Sequence, residues 1–296
     1  MTTLTDIAEL VRAPAALSVP GDALAGAAVT GTLGARTAGL SAASVCLYWS
    51  GMAANDWADR DLDAKERPER PIPSGRVTPG TALGLAAALS AAGLVLAGLA
   101  GGRRALAVAA PLTGLMWWYD TGLKGTAAAP AGMAACRGLD VLLGASRGRW
   151  RRSAVPALVV AAHTYTVTAL SRREVTGGSP LLPPVTLAGT AAIAAGPAIA
   201  AGRAMVPAAP SRAACWRRLL PGGLAAWYAA SYGIAQGHAL AEPSAAKMRA
   251  AVGAGITSLP ALQGALIAWS GAPAAGAAVA TAAPLGRRLA RWWSPT

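Results

Sequence analysis

The sequence is short of charge, and it lacks several residue types altogether or nearly so. Only 13% of its 296 residues are Asp, Glu, Lys or Arg, phenylalanine is absent, and asparagine occurs once. A soluble domain carries about 25% charged residues, so this chain has too few charges to cover a water-exposed surface. The shortage excludes a soluble domain, a disordered chain and a coiled coil. Without a soluble basic domain, nucleic acid is not expected as a partner.

Cysteine is also scarce, and its placement excludes two further classes. The three cysteines, Cys46, Cys136 and Cys215, are scattered through apolar stretches. They form neither a disulfide framework nor a metal cluster, so we interpret them as packing residues.

Apolar residues take the place of the missing charges. They make up 54% of the chain, in continuous alanine-rich runs, and mean hydropathy is +0.43. Because the runs do not alternate, they predict helices and not a transmembrane barrel, at about 20 residues per span. We predict an all-α, multi-pass membrane protein forming one domain over 1–296, with a further apolar stretch at 272–290. The nine predicted helices cover 14–33, 36–62, 78–100, 104–121, 126–146, 153–173, 182–202, 219–241 and 247–270.

The few acidic residues are concentrated at one place. Six of the 13 lie within 14 residues, directly after the single asparagine, Asn55. If the second helix runs through this window, its 100° rotation per residue places Asn55, Asp56, Asp59 and Asp63 on one arc of about 100°. Asp61 points nearly the opposite way. Tyr48 and Met52 fall on the arc as walls of a cavity.

Three carboxylates on one face repel each other, and something cationic must compensate. Mg²⁺ prefers such oxygen ligands, and it is usually held by few carboxylates together with substrate phosphates. The stripe therefore favours a Mg²⁺ platform for a phosphorylated ligand. The alternative is a solvated helix end whose acids pair with Arg60, Lys65 and Arg67; the one-sided spacing and the acid-poor remainder disfavour it.

The acidic stretch resembles the first signature of the UbiA family of membrane prenyltransferases. The pattern Asn-Asp-x-x-Asp-x-x-x-Asp is matched from Asn55 to Asp63, and the following Arg-Pro-x-Arg-Pro-x-Pro-x-Gly is matched from Arg67 to Gly75. The resemblance implies about nine helices around a central cavity and Mg²⁺-dependent transfer of a prenyl group from its diphosphate to a small acceptor.

The resemblance also implies roles for individual residues. Asn55, Asp56, Asp59 and Asp63 would hold Mg²⁺, with the three aspartates catalytic, while Arg67 and Lys124 would bind diphosphate. The family's second aspartate-rich turn is reduced here to Ser171–Gly178, with one carboxylate. Glu174 is expected to be the remaining metal ligand, and Arg172 and Arg173 to bind diphosphate directly. The chain therefore resembles a divergent branch.

Other polar residues within the helices are candidates for the cavity. Arg137 and Asp140 are three residues apart, so they can pair, and intramembrane charges usually face an interior cavity. Asp120 lies near Lys124 as its partner or as a metal ligand. His163 is about 20° from Glu174 on a helix, facing the same cavity or acting as an ordinary hydrogen-bonded histidine.

We predict an intramembrane prenyltransferase of isoprenoid biosynthesis. Its partners are a prenyl diphosphate, the bilayer and a small acceptor: a quinone precursor, a tetrapyrrole, or a glycerol- or sugar-type acceptor. The alternatives are a cation-coupled transporter and a terpene cyclase without an external acceptor. We place it in the bacterial cell membrane with the aspartate-rich loop cytoplasmic. The positive-inside rule does not decide this orientation and leans slightly against it, because basic residues flank both ends of the predicted spans.

Overall fold

The computed structural model describes residues 2–174, 181–203 and 212–293, and the regular structure within them is helical. Tight 3₁₀ turns occupy Ala13–Ser18 and Trp150–Ser153, and a π-helical turn occupies Tyr119–Leu123. The helices, numbered α1 to α12 in chain order, are Leu4–Leu10, Pro20–Thr30, Ala35–Ala58, Arg60–Glu66, Pro79–Trp118, Ala129–Gly144, Ala154–Ser171, Leu182–Arg203, Arg212–Ala241, Ala245–Trp269, Pro273–Ala280 and Ala282–Trp293.

The predicted helices are found in order, after the unpredicted short helix α1, and they differ from the prediction in continuity at three places. The first predicted helix, 14–33, is divided into the 3₁₀ turn Ala13–Ser18 and α2. The second ends at Ala58 and restarts as α4, because Asp59 leaves the helical conformation with φ −90° and ψ 0°. The third and fourth are joined in α5 across a turn at Gly102, whose φ of 69° favours glycine. A straight helix of 40 residues would extend about 60 Å, twice the hydrocarbon core of about 30 Å. The turn at Gly102 therefore divides α5 into two spans.

The helices form two neighbouring groups that share a central seam. On one side α3 packs along α5 and α6; on the other, α9 packs against α8 and α10. Between them, α2 contacts α3, α6 and α10. In the described part of the chain, three helical stretches are long and apolar enough to cross a bilayer, namely Pro79–Leu123, Trp150–Ser171 and Ala245–Trp269.

Glycine permits the closest approach within the seam. A Cβ at Gly26 of α2 would lie 1.9 Å from the carbonyl oxygen of Val141, and one at Gly144 of α6 would lie 2.0 Å from that of Ala23. The two backbones therefore touch at a distance that only glycine allows. This contact fixes α6, which carries two candidate cavity residues, against α2.

Candidate active site

The first acidic signature lies where α3 ends, at one end of the bundle. Asp59 interrupts the helix, but its N–H still donates to the Asn55 carbonyl at 2.9 Å, and the Asp63 N–H donates to the Asp59 carbonyl at 2.8 Å. The chain therefore keeps a nearly helical path, and the side chains keep their predicted sides. Asp56 and Asp63 are 4% and 3% exposed, whereas the Asp61 side chain is 87% exposed. The prediction that Asp61 points away is confirmed.

Two arginines neutralise the buried aspartates. One guanidinium nitrogen of Arg70 lies 2.6 Å from an Asp63 oxygen and 3.5 Å from an Asp56 oxygen. Arg12 approaches Asp56 at 2.8 Å, and it also lies 3.4 Å from the Met52 sulfur. Sequence reasoning left both arginines out of the site. Arg70 belongs to the Arg-Pro repeat that follows the signature, but Arg12 lies 44 residues before Asp56 and carries no local signal.

The π-helical turn brings a second pair of charges to the same place. Its wider winding is closed by the Lys124 N–H, which donates to the Tyr119 carbonyl at 3.0 Å, and such turns recur at functional sites. The Lys124 ammonium lies 2.6 Å from Asp59, and the Asn55 amide donates to Asp120 at 3.0 Å. We call Asn55, Asp56, Asp59, Asp63, Asp120, Arg12, Arg70 and Lys124 the charged cluster.

A cavity of about 100 Å³ adjoins the charged cluster. Five of the six side chains that the sequence predicted for a cavity line it, together with apolar residues from α3, α5 and α6. These five are Tyr48, Met52, Asp120, Arg137 and Asp140. His163, the sixth, lies elsewhere: it is buried between α7 and α9, and its Nδ1 lies 2.9 Å from the Tyr228 hydroxyl. It is a hydrogen-bonded intramembrane histidine, so the expectation that it faces the cavity is not met.

The intramembrane charges of the cavity are paired differently from the expectation. Arg137 pairs with Asp22 of α2 at 2.9 Å, whereas the Ser44 hydroxyl donates to Asp140. Asp22 also accepts a hydrogen bond from Gln263 at 2.6 Å. Three residues of separation put Arg137 and Asp140 within reach, but α2 packs so closely on α6 that the tertiary partner takes the arginine. This network links α2, α6 and α10.

The second, reduced signature follows α7, and its residues 175–178 lie outside the described part of the chain. Arg172 is exposed and donates to the Thr126 carbonyl, which places it beside the loop that follows Lys124. Arg173 is also exposed. Burial raises the pKa of Glu174, and the nearby charges of Arg249 and Arg67 oppose that shift. Arg67 thus lies near Glu174 at the exposed edge, while Arg70 occupies the inner position.

The charged cluster can supply part of a Mg²⁺ coordination shell but does not form a complete metal site of its own. Across the described residues, no three His, Cys, Asp or Glu side chains are close enough together to hold a metal ion. Each aspartate of the signature is instead paired with a cation. Carboxylate and amide oxygens are nevertheless the donors that Mg²⁺ prefers, and this ion commonly uses one or two carboxylates and takes its other ligands from phosphate and water.

The fold and the charged cluster define an integral, multi-pass membrane protein with a polar site at one end of its bundle. The profile of the UbiA prenyltransferase family matches residues 17–251. The chain therefore belongs to the UbiA prenyltransferase family.

Individual relatives are similar over part or most of the chain. The digeranylgeranylglyceryl phosphate synthase of Ignicoccus hospitalis is 43% identical over 118 residues, which is 40% of this chain and 39% of that protein. The aligned region thus spans about two fifths of the relative's length. A solved structure described as a digeranylgeranylglyceryl phosphate synthase superposes with a TM-score of 0.63 over 90% of this chain and 98% of its own, at 16% identity. The apo structure of a UbiA homologue from Aeropyrum pernix gives 0.59 over 86% and 96%, at 20% identity. These two structures support the fold.

Proposed function

We propose that the protein is a Mg²⁺-dependent intramembrane prenyltransferase that uses a prenyl diphosphate as donor. The observation that carries this proposal is the self-paired charged cluster, in a chain that belongs to the UbiA family. In this cluster each aspartate carboxylate of the signature forms an ion pair with an arginine or lysine side chain. A metal diphosphate also carries both signs, so it can take over the partners of both sets at once.

The residues divide into two groups by charge. Asn55, Asp56, Asp59 and Asp63 would hold the metal, with Glu174 as a further ligand; Arg70, Arg12 and Lys124 would turn from the carboxylates to the diphosphate oxygens. Arg67, Arg172 and Arg173 lie at the exposed edge, where they would attract the diphosphate as it arrives. When bound, Mg²⁺ would neutralise the negative charge that grows on the departing diphosphate.

The cavity would hold the reacting end of the prenyl chain. Tyr48, Met52 and Tyr119 line it, and their side chains would exclude water, which would otherwise capture the allylic cation. The aromatic faces of Tyr48 and Tyr119 suit a developing positive charge. The C–O bond would break with its electron pair leaving on the diphosphate. The acceptor oxygen would form the new bond to the allylic carbon, and the proton that it loses would pass to the departing diphosphate.

The named relative guides the choice of acceptor. Because its product is a glyceryl phosphate, we propose a glycerol-phosphate-type acceptor, and quinone precursors and tetrapyrroles form the comparison panel. We further propose that the charged cluster faces the cytoplasm of a bacterial cell. Thiol labelling in intact cells tests this orientation. Cys46, Cys136 and Cys215 are replaced, a single cysteine is introduced at exposed Asp61, and its reaction with a membrane-impermeant thiol reagent is measured.

Turnover in liposomes tests the proposed activity. The purified protein is incubated with labelled prenyl diphosphate, Mg²⁺ and each acceptor, and both diphosphate release and product mass are measured. We expect Asp59→Asn and Asp63→Asn to abolish release, while Asp61→Asn, an exposed neighbour on the same segment, retains it. An active Asp63→Asn enzyme would contradict the site assignment. Uptake without release would indicate a transporter, and release without adduct would indicate a cyclase.

A further inference from the structure

The end of the bundle opposite the charged cluster is covered with arginines. This end is formed by the start of α3, the turn at Gly102 and the segment that follows α6. The turn and that segment are in contact, because a Cβ added at Gly101 would lie 3.0 Å from the Ser146 hydroxyl. The exposed arginines of this arginine end are Arg36, Arg103, Arg104, Arg147, Arg149, Arg151 and Arg152. None of them makes an ion pair with any residue that the structure describes.

Within the described part of the chain, no acidic side chain supplies a counter-charge there. Of its 13 acidic residues, Asp22 and Asp140 are buried in the seam. The others lie at or near the charged cluster. Asp6 and Glu9 bind Arg76 in the loop before α5. The backbone carbonyl of Glu174 accepts a hydrogen bond from Arg249 at the start of α10, and Glu242 lies in the loop that precedes α10. The described residues therefore leave these arginines available to anions from outside the chain.

Four of these arginines surround a groove between α5, α6 and the 3₁₀ turn Trp150–Ser153 that precedes α7. The groove has a volume of about 820 Å³, and Arg104, Arg149, Arg151 and Arg152 line it. The Ser146 hydroxyl also lines it, is buried, and has no hydrogen-bond partner among the described residues. Guanidinium groups and a free hydroxyl are the donors that bind phosphate oxygens, often in pairs. The groove thus has the donor set of a phosphate site.

The groove is apolar on the side that faces the membrane, and this favours a lipid over a free phosphate as its ligand. Val108 and Leu142 line the groove, and Val155 and Leu158 on the following turns of α7 are 55% and 70% exposed. Trp150 is also exposed, and the Arg151 guanidinium lies 5.9 Å from its ring centroid. Tryptophan favours the membrane interface, where one side of the ring meets headgroups and the other meets chains.

We propose that this groove binds an anionic glycerophospholipid. The phosphate lies among Arg104, Arg149 and Arg151, with Ser146 donating to one of its oxygens, and the acyl chains run along Val155 and Leu158. Basic recesses between membrane helices bind anionic headgroups in this way. The site is separate from the charged cluster and does not depend on the proposed activity.

The test measures lipid bound to the full chain. Protein in neutral phosphatidylcholine nanodiscs is titrated with phosphatidylglycerol, and the retained lipid is counted by native mass spectrometry. We expect saturation near one lipid per chain. Arg149→Gln/Arg151→Gln should weaken binding about 30-fold, at about 1 kcal/mol per arginine near the surface. The matched control, Arg36→Gln/Arg103→Gln, removes two arginines of the same end that do not line the groove, and should change binding less than about 3-fold.

Other outcomes would overturn the proposal. Equal losses in both pairs would show attraction by overall charge, and absence of saturation would show no site. If inorganic phosphate displaces the lipid at equal concentration, the groove takes free phosphate and not a lipid. Should the groove pair fail to fold, Arg104→Gln replaces it, and unchanged binding in that variant also counts against the site.

Discussion

Arg70 is the residue whose loss should most clearly separate the stability of the charged cluster from its chemistry. It contacts both Asp63, at 2.6 Å, and Asp56, at 3.5 Å, and these carboxylates are only 5% and 6% exposed. Removing one partner of a buried ion pair costs about 3–5 kcal/mol, because the other charge stays buried and unpaired. Asp56 keeps Arg12, so we expect Arg70→Gln to cost about 3 kcal/mol, the lower end of that range.

A second substitution should restore stability without restoring function. In Arg70→Gln/Asp63→Asn the unpaired carboxylate is gone, and the remaining cost is that of an ordinary hydrogen bond, about 1 kcal/mol. Turnover should stay absent, because the double variant lacks both a proposed metal ligand and a proposed diphosphate ligand.

The assay compares four proteins: the wild type, each single variant and the double variant. Unfolding is followed by circular dichroism in mixed micelles of rising SDS fraction, and turnover is followed by diphosphate release. Arg70→Gln as stable as the wild type would refute the inference that this arginine neutralises buried charge. A double variant less stable than Arg70→Gln alone would refute the proposed cause of the loss.

Three further predictions concern other contacts. Lys124→Met should raise the KM for the prenyl diphosphate about 10-fold or more in steady-state kinetics, because a charge-assisted hydrogen bond contributes about 1.5–3 kcal/mol; an unchanged KM would count against a contact with the donor. Gly144→Ala should destabilise the protein in SDS titration by about 1–3 kcal/mol or more, because the added Cβ would lie 2.0 Å from the Ala23 carbonyl oxygen. The control Gly114→Ala, whose Cβ would have nothing within 4 Å, should be neutral. Equal effects of the two substitutions would refute the close contact of α2 and α6. An unreactive thiodiphosphate analogue of the donor and Mg²⁺ should each raise the other's affinity in calorimetry, and independent binding would contradict replacement of the internal ion pairs.

The helices and the acidic signature were predictable because both depend on short-range patterns. Apolar runs longer than 18 residues have few alternatives to a membrane helix. The helical period places Asp56 and Asp63 together whatever the rest of the chain does, so the break at Asp59 left the predicted sides intact. The turn at Gly102 changed the continuity of α5 but kept two spans, as its length requires.

The partners of the charged groups were not predictable, because they come from distant parts of the chain. Arg12 reaches Asp56 from the turn that follows α1. Its backbone is left-handed there, with φ 49°, and this conformation is uncommon for a non-glycine residue and was not predictable from the sequence. Arg137 pairs with Asp22 and not with its helical neighbour Asp140, since the choice depends on how closely α2 packs. Periodicity identifies which residues share a face, but the selection among possible partners is made by tertiary packing.

The self-paired charged cluster also explains how the site persists before any ligand binds. A row of bare carboxylates at a membrane boundary would repel and would favour local unfolding, but here three basic side chains from three separate segments hold the aspartates in place. The same pairing sets a condition on the ligand. An anion alone would attract the cations and leave the carboxylates unpaired, and a metal ion alone would do the reverse, so each would lose much of what it gains. A metal diphosphate provides partners for both the cations and the carboxylates. We therefore expect the cluster to select ligands that carry both a positive and a negative charge, and to depend less on the shape of either group.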